Sequence, residues 1–297
     1  FFFTHKTAYE ILSGLVGSEM CIRDRFYLIN FMKKYNYLKI KFYKYHGSGN
    51  DFVIIDNREN KIIIDSLFIE NLCHRKYGIG ADGLIILEGG SSKGFSIRHF
   101  NSDGEQSSFC ANGSRCIVHF AKYLNLFEDN FIFLSNGKEI SGSSVDNFVT
   151  ITMPNVINVE TDQNGYYILN TGCRHLVVFT EDLENVDVNY LGSEIRNLKD
   201  YKKDGINVNF VEISNQKFSI RTYERGVENE TLSCGTGVVA SVIATIEKGI
   251  NIPSKVSVET LGGSLVVKWD KINNVYSNIC LSGSVSLVFQ GYIEYEN

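Results

Sequence analysis

The sequence contains little proline: Pro154 and Pro253 are its only two, against 26 glycines in 297 residues. Proline-rich linkers are therefore excluded, and glycine must supply most of the turns. Basic residues are too few for a protein that binds a phosphate backbone, because Lys+Arg number 29 and Asp+Glu 34, which gives a net charge of -5. This acidic balance predicts no nucleic-acid partner.

Cysteine is present, but not in the pattern of a disulfide scaffold or a metal cluster. The seven cysteines are irregularly spaced without any Cys-x-x-Cys pair, and the six histidines do not stand at ligand spacing from cysteines or carboxylates. We therefore predict free thiols in a reducing cytosol and no metal site. The 43% hydrophobic and 21% charged residues are typical of a globular chain, here long enough for one large or two medium domains.

The beginning of the chain lacks the features of a targeting signal. Its apolar stretches are interrupted by Glu10, Gly14 and Glu19 and are too short to span a bilayer. Met32 resembles a natural start directly before the first strand-like segment. We interpret 1–31 as an extraneous or disordered tail, and we expect a cytoplasmic protein without a membrane partner.

Short β-branched and aromatic segments, bounded by Gly, Asn and Asp, predict many strands from Leu38 onward, whereas helical spacing occurs in few segments. The predicted helices are Ser66–Arg75, Asn112–Leu124 and Gly235–Glu247. The predicted strands are Leu38–Tyr43, Phe52–Asp56, Gly83–Leu87, Phe95–Phe100, Phe131–Leu134, Phe148–Met153, Tyr166–Asn170, His175–Phe179, Ile206–Ile213, Phe218–Tyr223, Lys255–Thr260, Ser264–Trp269 and Val285–Phe289. Many strands with a few isolated helices predict an α+β fold.

An internal repeat surrounds two of the predicted helices. The segment Phe95–Arg98 (FSIR) recurs as Phe218–Arg221, and each copy is followed at nearly equal spacing by an acidic, glycine-containing loop, a cysteine and a helix. This matched order predicts two homologous halves with a seam near Pro154. The predicted domains are 32–154, which carries Cys110, and 155–284, which carries Cys234, while 285–297 forms a final strand that can return to the first half.

Each repeated cysteine stands directly before its helix, Cys110 in the segment Cys110–Gly113 (CANG) and Cys234 in Cys234–Gly237 (CGTG). The unpaired N–H groups and the positive dipole end of a helix start stabilise a thiolate and can also bind a carboxylate. If the halves face each other, two thiols flank one small anion. That arrangement suits removal of an amino-acid α-proton by one thiolate and its return to the opposite face by the other thiol, without pyridoxal phosphate.

At these residues the sequence resembles the diaminopimelate epimerase family of the pyridoxal-independent amino-acid racemases and epimerases. The matching segments run in the family's order from about residue 38 to the end of the chain: His46–Phe52 (HGSGNDF), Gly78–Gly83 (GIGADG), Phe100–Gly104 (FNSDG), Cys110–Cys116 (CANGSRC), Tyr223–Gly237 and Leu261–Leu265. The resemblance implies two pseudo-symmetric domains, each a mostly antiparallel sheet or barrel around a central helix, with the active site in the cleft between them. It further implies an isomerase that interconverts LL- and meso-diaminopimelate for lysine and peptidoglycan precursors, needs no cofactor and forms a homodimer.

The resemblance also implies roles for individual residues. Cys110 and Cys234 correspond to the acid/base pair, while His175 and Glu224 adjust the pKa values of the thiols and Cys116 is structural. Arginine offers a forked donor to a carboxylate, and asparagine can both donate to a carboxylate and accept from an ammonium. The implied substrate-binding groups are the backbone N–H groups of Ala111, Asn112, Gly235 and Thr236, the Glu224 carboxylate, and the side chains of Asn50, Asn101, Asn207 and Arg225.

The sequence departs from the family pattern at a few positions. Ala111 stands where Gly is common, Cys173 and Arg174 stand where the family often has Asn-Pro, and Gly83 stands where some members have Gln. Loss of the asparagine predicts looser recognition of the distal carboxylate unless Arg174 or a water molecule substitutes for it. The two thiols are unaffected by these departures.

Three other interpretations stay open from the sequence. The chain could be a related racemase acting on another amino acid, such as proline, a non-catalytic amino-acid-binding module, or a thiol-redox protein in which Cys110 and Cys234 form a disulfide during turnover. Arg225 and the asparagines favour a substrate with a second carboxylate and amine over a plain ring. Retention of both cysteines at glycine-containing helix starts disfavours the binding module.

Overall fold

The computed structural model describes residues 37–59, 62–91, 94–107, 109–214 and 217–296. The predicted tail, 1–31, lies outside these ranges. Two units are distinguished: Phe42–Gly291, and a smaller unit to which residues 37–41 and 292–296 belong. In the smaller unit, the Lys39 ammonium lies 4.6 Å from the ring centroid of Tyr292.

Four helices lie in the described ranges: α1 (Ser66–Cys73), α2 (Ala111–Tyr123), α3 (Val188–Arg196) and α4 (Gly235–Glu247). α2 and α4 begin directly after the two repeated cysteines, and α4 has the predicted bounds. α3 is absent from the predicted helices, although it carries a start signal. The Asp187 carboxylate accepts a hydrogen bond from the Tyr190 N–H and so caps the first turn of α3.

The strands of the first half are β1 (Tyr37–Gly47), β2 (Asn50–Asn57), β3 (Gly83–Ser91), β4 (Gly94–Asn101), β5 (Phe131–Ser135), β6 (Lys138–Val145) and β7 (Phe148–Thr152). Those of the second half are β8 (Val159–Thr161), β9 (Tyr167–Asn170), β10 (Arg174–Phe179), β11 (Asn207–Ser214), β12 (Lys217–Glu224), β13 (Asn229–Thr231), β14 (Lys255–Thr260), β15 (Gly263–Ile272) and β16 (Val275–Glu296). β6, β8 and β13 fall outside the predicted strands. β16 is one continuous strand where the sequence predicts only Val285–Phe289.

The order of parallel and antiparallel strand pairs is the same in both halves. In the first half, β1 and β2 are antiparallel, β2 and β3 parallel, β3 and β4 antiparallel, β4 and β5 parallel, and β5, β6 and β7 antiparallel. Strands β9, β10, β11, β12, β14, β15 and β16 repeat this order. The repeated FSIR segments lie on the equivalent strands β4 and β12. The predicted α+β class with two pseudo-symmetric halves is confirmed.

The helices also take equivalent places in the two halves. α1 and α3 connect the parallel pairs β2–β3 and β10–β11, whereas α2 and α4 connect β4 to β5 and β12 to β14. α2 packs on strands of the first half, among them β6 and β7, and α4 packs on strands of the second half, among them β10 and β11. Residues 235–245 of α4 are all buried, as expected for a helix enclosed by its own sheet.

The halves meet in two places that matter for the site. β16 pairs with β7 through Cys280–Ser284, which joins the two halves of the sheet. α2 and α4 also contact each other. Pro154 lies between β7 and β8, where the first half of the repeat ends and the second half begins. The domain boundaries themselves stay a prediction. None of the helices in the described ranges has the length and apolar character that crossing a membrane requires.

Candidate active site

The two repeated cysteines occupy the same backbone position in their halves. Cys110 is the N-cap of α2 with φ −116° and ψ 111°, and Cys234 is the N-cap of α4 with φ −116° and ψ 102°. Both have the extended conformation that an N-cap requires, so the first N–H groups of each helix remain free of intrahelical partners. The repeat thus produces two helix starts, each with a thiol beside it.

Close contact between the two helix starts depends on Gly235. A Cβ built on Gly235 would lie 2.9 Å from the Cβ of Ala111, 2.8 Å from Leu281 Cδ2 and 3.3 Å from Asn112 Oδ1. Only glycine fits there without movement. Ala111, which departs from the family pattern, is therefore accommodated because the residue facing it has no side chain.

A cleft of about 820 Å³ opens between the halves at these helix starts. Both cysteines line it, and so does every predicted substrate-binding residue: Asn50, Asn101, Ala111, Asn112, Asn207, Glu224, Arg225, Gly235 and Thr236. His175 is fully buried and lies behind Thr236 rather than in the wall of the cleft. The fold therefore collects residues from strands and helix starts of both halves around one volume.

The Cys110 sulfur lies between a donor and an acceptor. It accepts a hydrogen bond from the Gly113 N–H at 3.4 Å, and it faces Asn50 Oδ1 at 3.8 Å, to which the thiol donates. Burial raises the pKa of the Cys110 thiol to about 12, while the Gly113 N–H and the positive charge of Arg115 act in the opposite direction. Backbone donors and a nearby cation are therefore the groups that favour its ionised form.

Arg115 is a fully buried cation held by neutral groups. Its guanidinium donates to Asn112 Oδ1 at 2.9 Å, Ser48 Oγ at 3.1 Å and the Ala111 carbonyl at 3.4 Å. Burial lowers the pKa of Arg115 to about 10. The arrangement fixes the first turn of α2 and leaves positive charge close to Cys110.

The environment of Cys234 differs from that of Cys110. Its sulfur lies 3.4 Å from the hydroxyl of Thr236. Burial raises the pKa of Cys234 well above its usual value, and the Glu224 carboxylate raises it further. Burial also raises the pKa of Glu224 itself, which the hydrogen bond from the Thr231 hydroxyl at 3.0 Å opposes.

His175 contacts Thr236 and lies within a network of side chains behind the cleft. Its Nε2 lies 2.9 Å from Thr236 Oγ1, and its Nδ1 lies 3.1 Å from Asn209 Nδ2. Burial lowers the pKa of His175 to about 3, so that the ring is neutral at physiological pH. Because the Thr236 hydroxyl contacts both groups, it connects His175 with Cys234.

Cys173 and Arg174, which depart from the family pattern, lie in different places. Arg174 stacks over the ring of Tyr201, with its Cζ 5.6 Å from the ring centroid. Cys173 lines the cleft, where its sulfur accepts a hydrogen bond from Asn207 Nδ2 at 3.2 Å and lies 3.2 Å from Thr236 Oγ1. A third thiol, rather than the arginine, therefore faces the cleft at this position.

The orientation of the Asn50 amide is fixed by an ionic cluster. Its Nδ2 donates to Asp82 Oδ2 at 2.8 Å, so that its Oδ1 faces Cys110 and accepts from Asn112 Nδ2 at 3.3 Å. Asp82 is held in turn by Arg75 at 2.6 Å, and Arg75 also binds Asp51 at 2.8 Å. Asp82 therefore orients the Asn50 amide so that its oxygen, rather than its NH2 group, faces Cys110.

Arg225, Asn207 and Asn101 also line the cleft. The Asn207 Oδ1 accepts from the Arg225 N–H at 2.8 Å, and the Arg225 guanidinium donates to the Asp204 carbonyl at 2.7 Å. Asn101 ends β4 and is exposed. The cleft is thus lined by amide and guanidinium groups as well as by the two helix starts, which suits a substrate with several polar groups.

Sequence reasoning missed four residues that the structure places at or beside the cleft. Asp82 lies inside the quoted GIGADG motif without an assigned role, and Thr231 follows Glu230 in the second cysteine motif. Asn209 is two residues after Asn207 on β11, and this period-2 spacing places both on one face of the strand. Cys173 was visible only as a departure, because nothing in its local pattern indicates a sulfur in the cleft.

Solved structures share this fold at low sequence identity. A hydroxyproline epimerase from Agrobacterium vitis has a TM-score of 0.62 and 13% identity over 87% of this chain and 93% of its own. A probable proline racemase from Agrobacterium radiobacter has a TM-score of 0.64 and 11% identity over 86% of this chain and 92% of its own. The fold is therefore that of the proline racemase-like proteins.

Sequence comparison specifies the family within this class. The family model for diaminopimelate epimerase matches residues 42–153 and 167–288. The diaminopimelate epimerase of Flavobacterium psychrophilum is 43% identical over 254 residues, which covers 84% of this chain and 99% of that protein. That of a Hydrogenobaculum species is 36% identical over 275 residues, which covers 85% and 98%. The chain belongs to the diaminopimelate epimerase family, a family of isomerases, and the resemblance stated from its motifs is confirmed.

Proposed function

We propose that this protein interconverts LL- and meso-diaminopimelate by a two-base mechanism in which Cys110 and Cys234 act from opposite faces of the substrate. The observation that carries the proposal is the pair of equivalent helix starts, each with an N-cap cysteine, that line one cleft. The family membership supports the choice of substrate. The reaction would serve the synthesis of lysine and peptidoglycan precursors.

The chemistry follows from the groups around the cleft. The first N–H groups of α2 and α4 bind the α-carboxylate of the substrate, where the positive ends of two helix dipoles stabilise the negative charge that develops. One cysteine, as thiolate, accepts the proton from Cα, and the electron pair of the C–H bond delocalises into the carboxylate. The other cysteine, as thiol, donates its proton to the opposite face of Cα. The configuration is inverted, and the two cysteines have exchanged protonation states.

The remaining polar groups of the substrate are bound by side chains that line the same cleft. Glu224 accepts from the α-ammonium. Burial is the main cause of the raised pKa values of both thiols, and the negative charge of Glu224 raises them further until the substrate's positive charge offsets it. Arg225, Asn101 and Asn207 bind the distal carboxylate and ammonium. The reaction needs no pyridoxal phosphate, nicotinamide or metal, because base, acid and anion site come from the chain itself. A cytoplasmic location and a homodimer are further expectations.

An assay on a panel of amino acids tests the proposal. The purified protein is incubated in deuterated water with LL-diaminopimelate, meso-diaminopimelate, proline and trans-4-hydroxyproline, and inversion and α-deuterium incorporation are measured. Inversion of the diaminopimelate isomers alone is expected. Turnover of a proline instead would indicate a related racemase, and substrate binding without exchange would indicate a non-catalytic binding module.

A further inference from the structure

The repeat gives the two catalytic cysteines the same backbone but different hydrogen-bond partners. In the first motif, the residue two positions after the cysteine is Asn112, whose amide is directed away to the Ser233 carbonyl at 2.9 Å. In the second motif, the equivalent residue is Thr236, whose hydroxyl lies 3.4 Å from the Cys234 sulfur. The second thiol therefore has a hydroxyl neighbour for which the first has no counterpart at the equivalent position.

The contacts of Asn209 determine where the proton on His175 resides. Asn209 Nδ2 donates to the Leu176 carbonyl at 2.9 Å, which fixes the orientation of the amide, and the same NH2 group lies 3.1 Å from His175 Nδ1. An amide NH2 can only donate, so Nδ1 accepts. In the neutral ring the proton is then on Nε2, which lies 2.9 Å from Thr236 Oγ1 and 3.1 Å from Cys173 Sγ. It donates to the hydroxyl oxygen, because that contact is the shorter one and a sulfur is a weak acceptor.

The Thr236 hydroxyl therefore has its own proton left to donate, and two sulfurs compete for it. Cys234 Sγ lies 3.4 Å from Oγ1 and Cys173 Sγ lies 3.2 Å from it. A thiolate accepts a hydrogen bond more strongly than a thiol, since charge-assisted hydrogen bonds are the stronger ones. The direction of the hydroxyl proton thus depends on which sulfur is ionised.

We propose that the Thr236 hydroxyl donates to the Cys234 sulfur when Cys234 is ionised and turns to Cys173 when Cys234 carries a proton. Thr236 is then a positioning residue that stabilises the Cys234 thiolate, and Cys173 is the competing acceptor that limits this stabilisation. When the substrate Cα proton is transferred to Cys234, the hydroxyl rotates to Cys173 and no further proton is moved. The catalytic task of the thiolate rests on the proposed function, but the hydrogen bond itself does not.

The groups around Cys234 agree with this role for Thr236. Burial is the main cause of the raised pKa of Cys234, and Glu224 on β12 and Cys173 just before β10 raise it further. The Thr236 hydroxyl and the Gly237 N–H lower it. His175 on β10 adds no charge because it is neutral. Cys110, by contrast, faces the acceptor oxygen of Asn50 and accepts from the Gly113 N–H, with no hydroxyl at the position equivalent to Thr236.

The experiment measures ionisation of each cysteine without any substrate. The full chain is alkylated briefly with iodoacetamide across a range of pH, and each cysteine is followed separately by peptide mass spectrometry. Thr236→Val removes the hydroxyl and keeps the branched shape, and we expect it to raise the midpoint pH of Cys234 alkylation by about one unit, the size expected when an anion loses one hydrogen bond. Thr236→Ser keeps the hydroxyl and is expected to restore the wild-type midpoint, while the midpoint of Cys110 stays constant as the internal control.

Cys173→Ala tests the competing acceptor with an effect of opposite sign. Without the second sulfur, the Thr236 hydroxyl can donate only to Cys234. The midpoint pH of Cys234 alkylation should therefore fall by a few tenths of a unit. An unchanged Cys234 midpoint in Thr236→Val, an equal shift at Cys110 and Cys234, or a rise in Cys173→Ala would overturn the proposal. If Thr236→Val does not fold, as judged by circular dichroism, Cys173→Ala decides the matter alone.

Turnover separates this inference from the proposed function. If the protein is an epimerase, Thr236→Val should shift the pH profile of kcat/KM only in the direction in which Cys234 is the base. A raised KM with an unchanged alkylation profile would mean that the hydroxyl binds the carboxylate instead, which contradicts the inference. If no amino acid is turned over but the alkylation shifts occur, the proposed function fails and the hydrogen bond stands.

Discussion

Gly235→Ala is the most informative single substitution at the junction of the two halves. The added Cβ would lie 2.9 Å from the Ala111 Cβ and 2.8 Å from Leu281 Cδ2. Carbon atoms pack at about 3.5–4.0 Å, so a separation of roughly 0.6–1 Å must open. The Leu281 methyl group can rotate away, but the Ala111 Cβ is fixed by its backbone. The two helix starts must therefore move apart.

The magnitude follows from two opposing effects. Replacing glycine by alanine in a helix stabilises the chain by about 0.4–1 kcal/mol, whereas overpacking costs about 1–3 kcal/mol. The net expectation is a loss of about 1–2 kcal/mol in the free energy of unfolding, measured by urea titration. Activity should suffer more, because a misplacement of about 1 Å at an active site can reduce the rate roughly 10²-fold. We expect kcat/KM for epimerisation to fall by about tenfold to a hundredfold.

A second substitution turns this into a test of the contact itself. Ala111→Gly removes the opposing Cβ, so the double variant Ala111→Gly with Gly235→Ala should recover a large part of the lost kcat/KM. A coupling energy of about 0.5–3 kcal/mol is expected for residues in direct contact. If Gly235→Ala is as active as the wild type, or if the two effects simply add, the helix starts do not limit each other and the reasoning is refuted.

The prediction from sequence succeeded where physical signals are local and repeated. The FSIR repeat and the cysteine at each helix start indicate two equivalent halves. A strand, a loop, a cap and a helix that recur in the same order at nearly equal spacing are not expected by chance. α4 has the predicted bounds because a nearly continuous apolar run of helix length follows directly after Cys234. The fold class follows from these elements, and the residues collected in the cleft follow largely from the family motifs.

The sequence could not predict features that arise from pairing or orientation. β6, of sequence KEISGSSV, has a weak strand propensity and is held by β5 and β7 on its two sides. The orientation of the Asn50 amide depends on Asp82, and the position of the proton on the His175 ring depends on Asn209. Such polar partners are distant along the chain and become visible only when the strands are placed side by side.

The remaining predictions concern cofactors, substrate recognition and the thiols. Dialysis against a chelator should leave the epimerisation rate unchanged, and a requirement for an added metal or cofactor would contradict the proposed mechanism. Arg225→Lys keeps the charge but loses the forked donor, so kcat/KM should fall at least about tenfold, or ~1.4 kcal/mol; unchanged kinetics would show that Arg225 does not bind the substrate. Cys110→Ala and Cys234→Ala should each abolish inversion in both directions, because every turnover needs one proton donor and one acceptor and neither cysteine can supply both. Since the two act as a unit, the double variant should cost little more than either single one. Cys116→Ser, one and a half turns further along α2, is the matched control and should keep its activity with a modest loss of stability. Near-normal inversion in deuterated water by either alanine variant would exclude the two-base mechanism, and an inactive Cys116→Ser beside an active Cys110→Ala would assign the acid/base role to the other cysteine of the first motif.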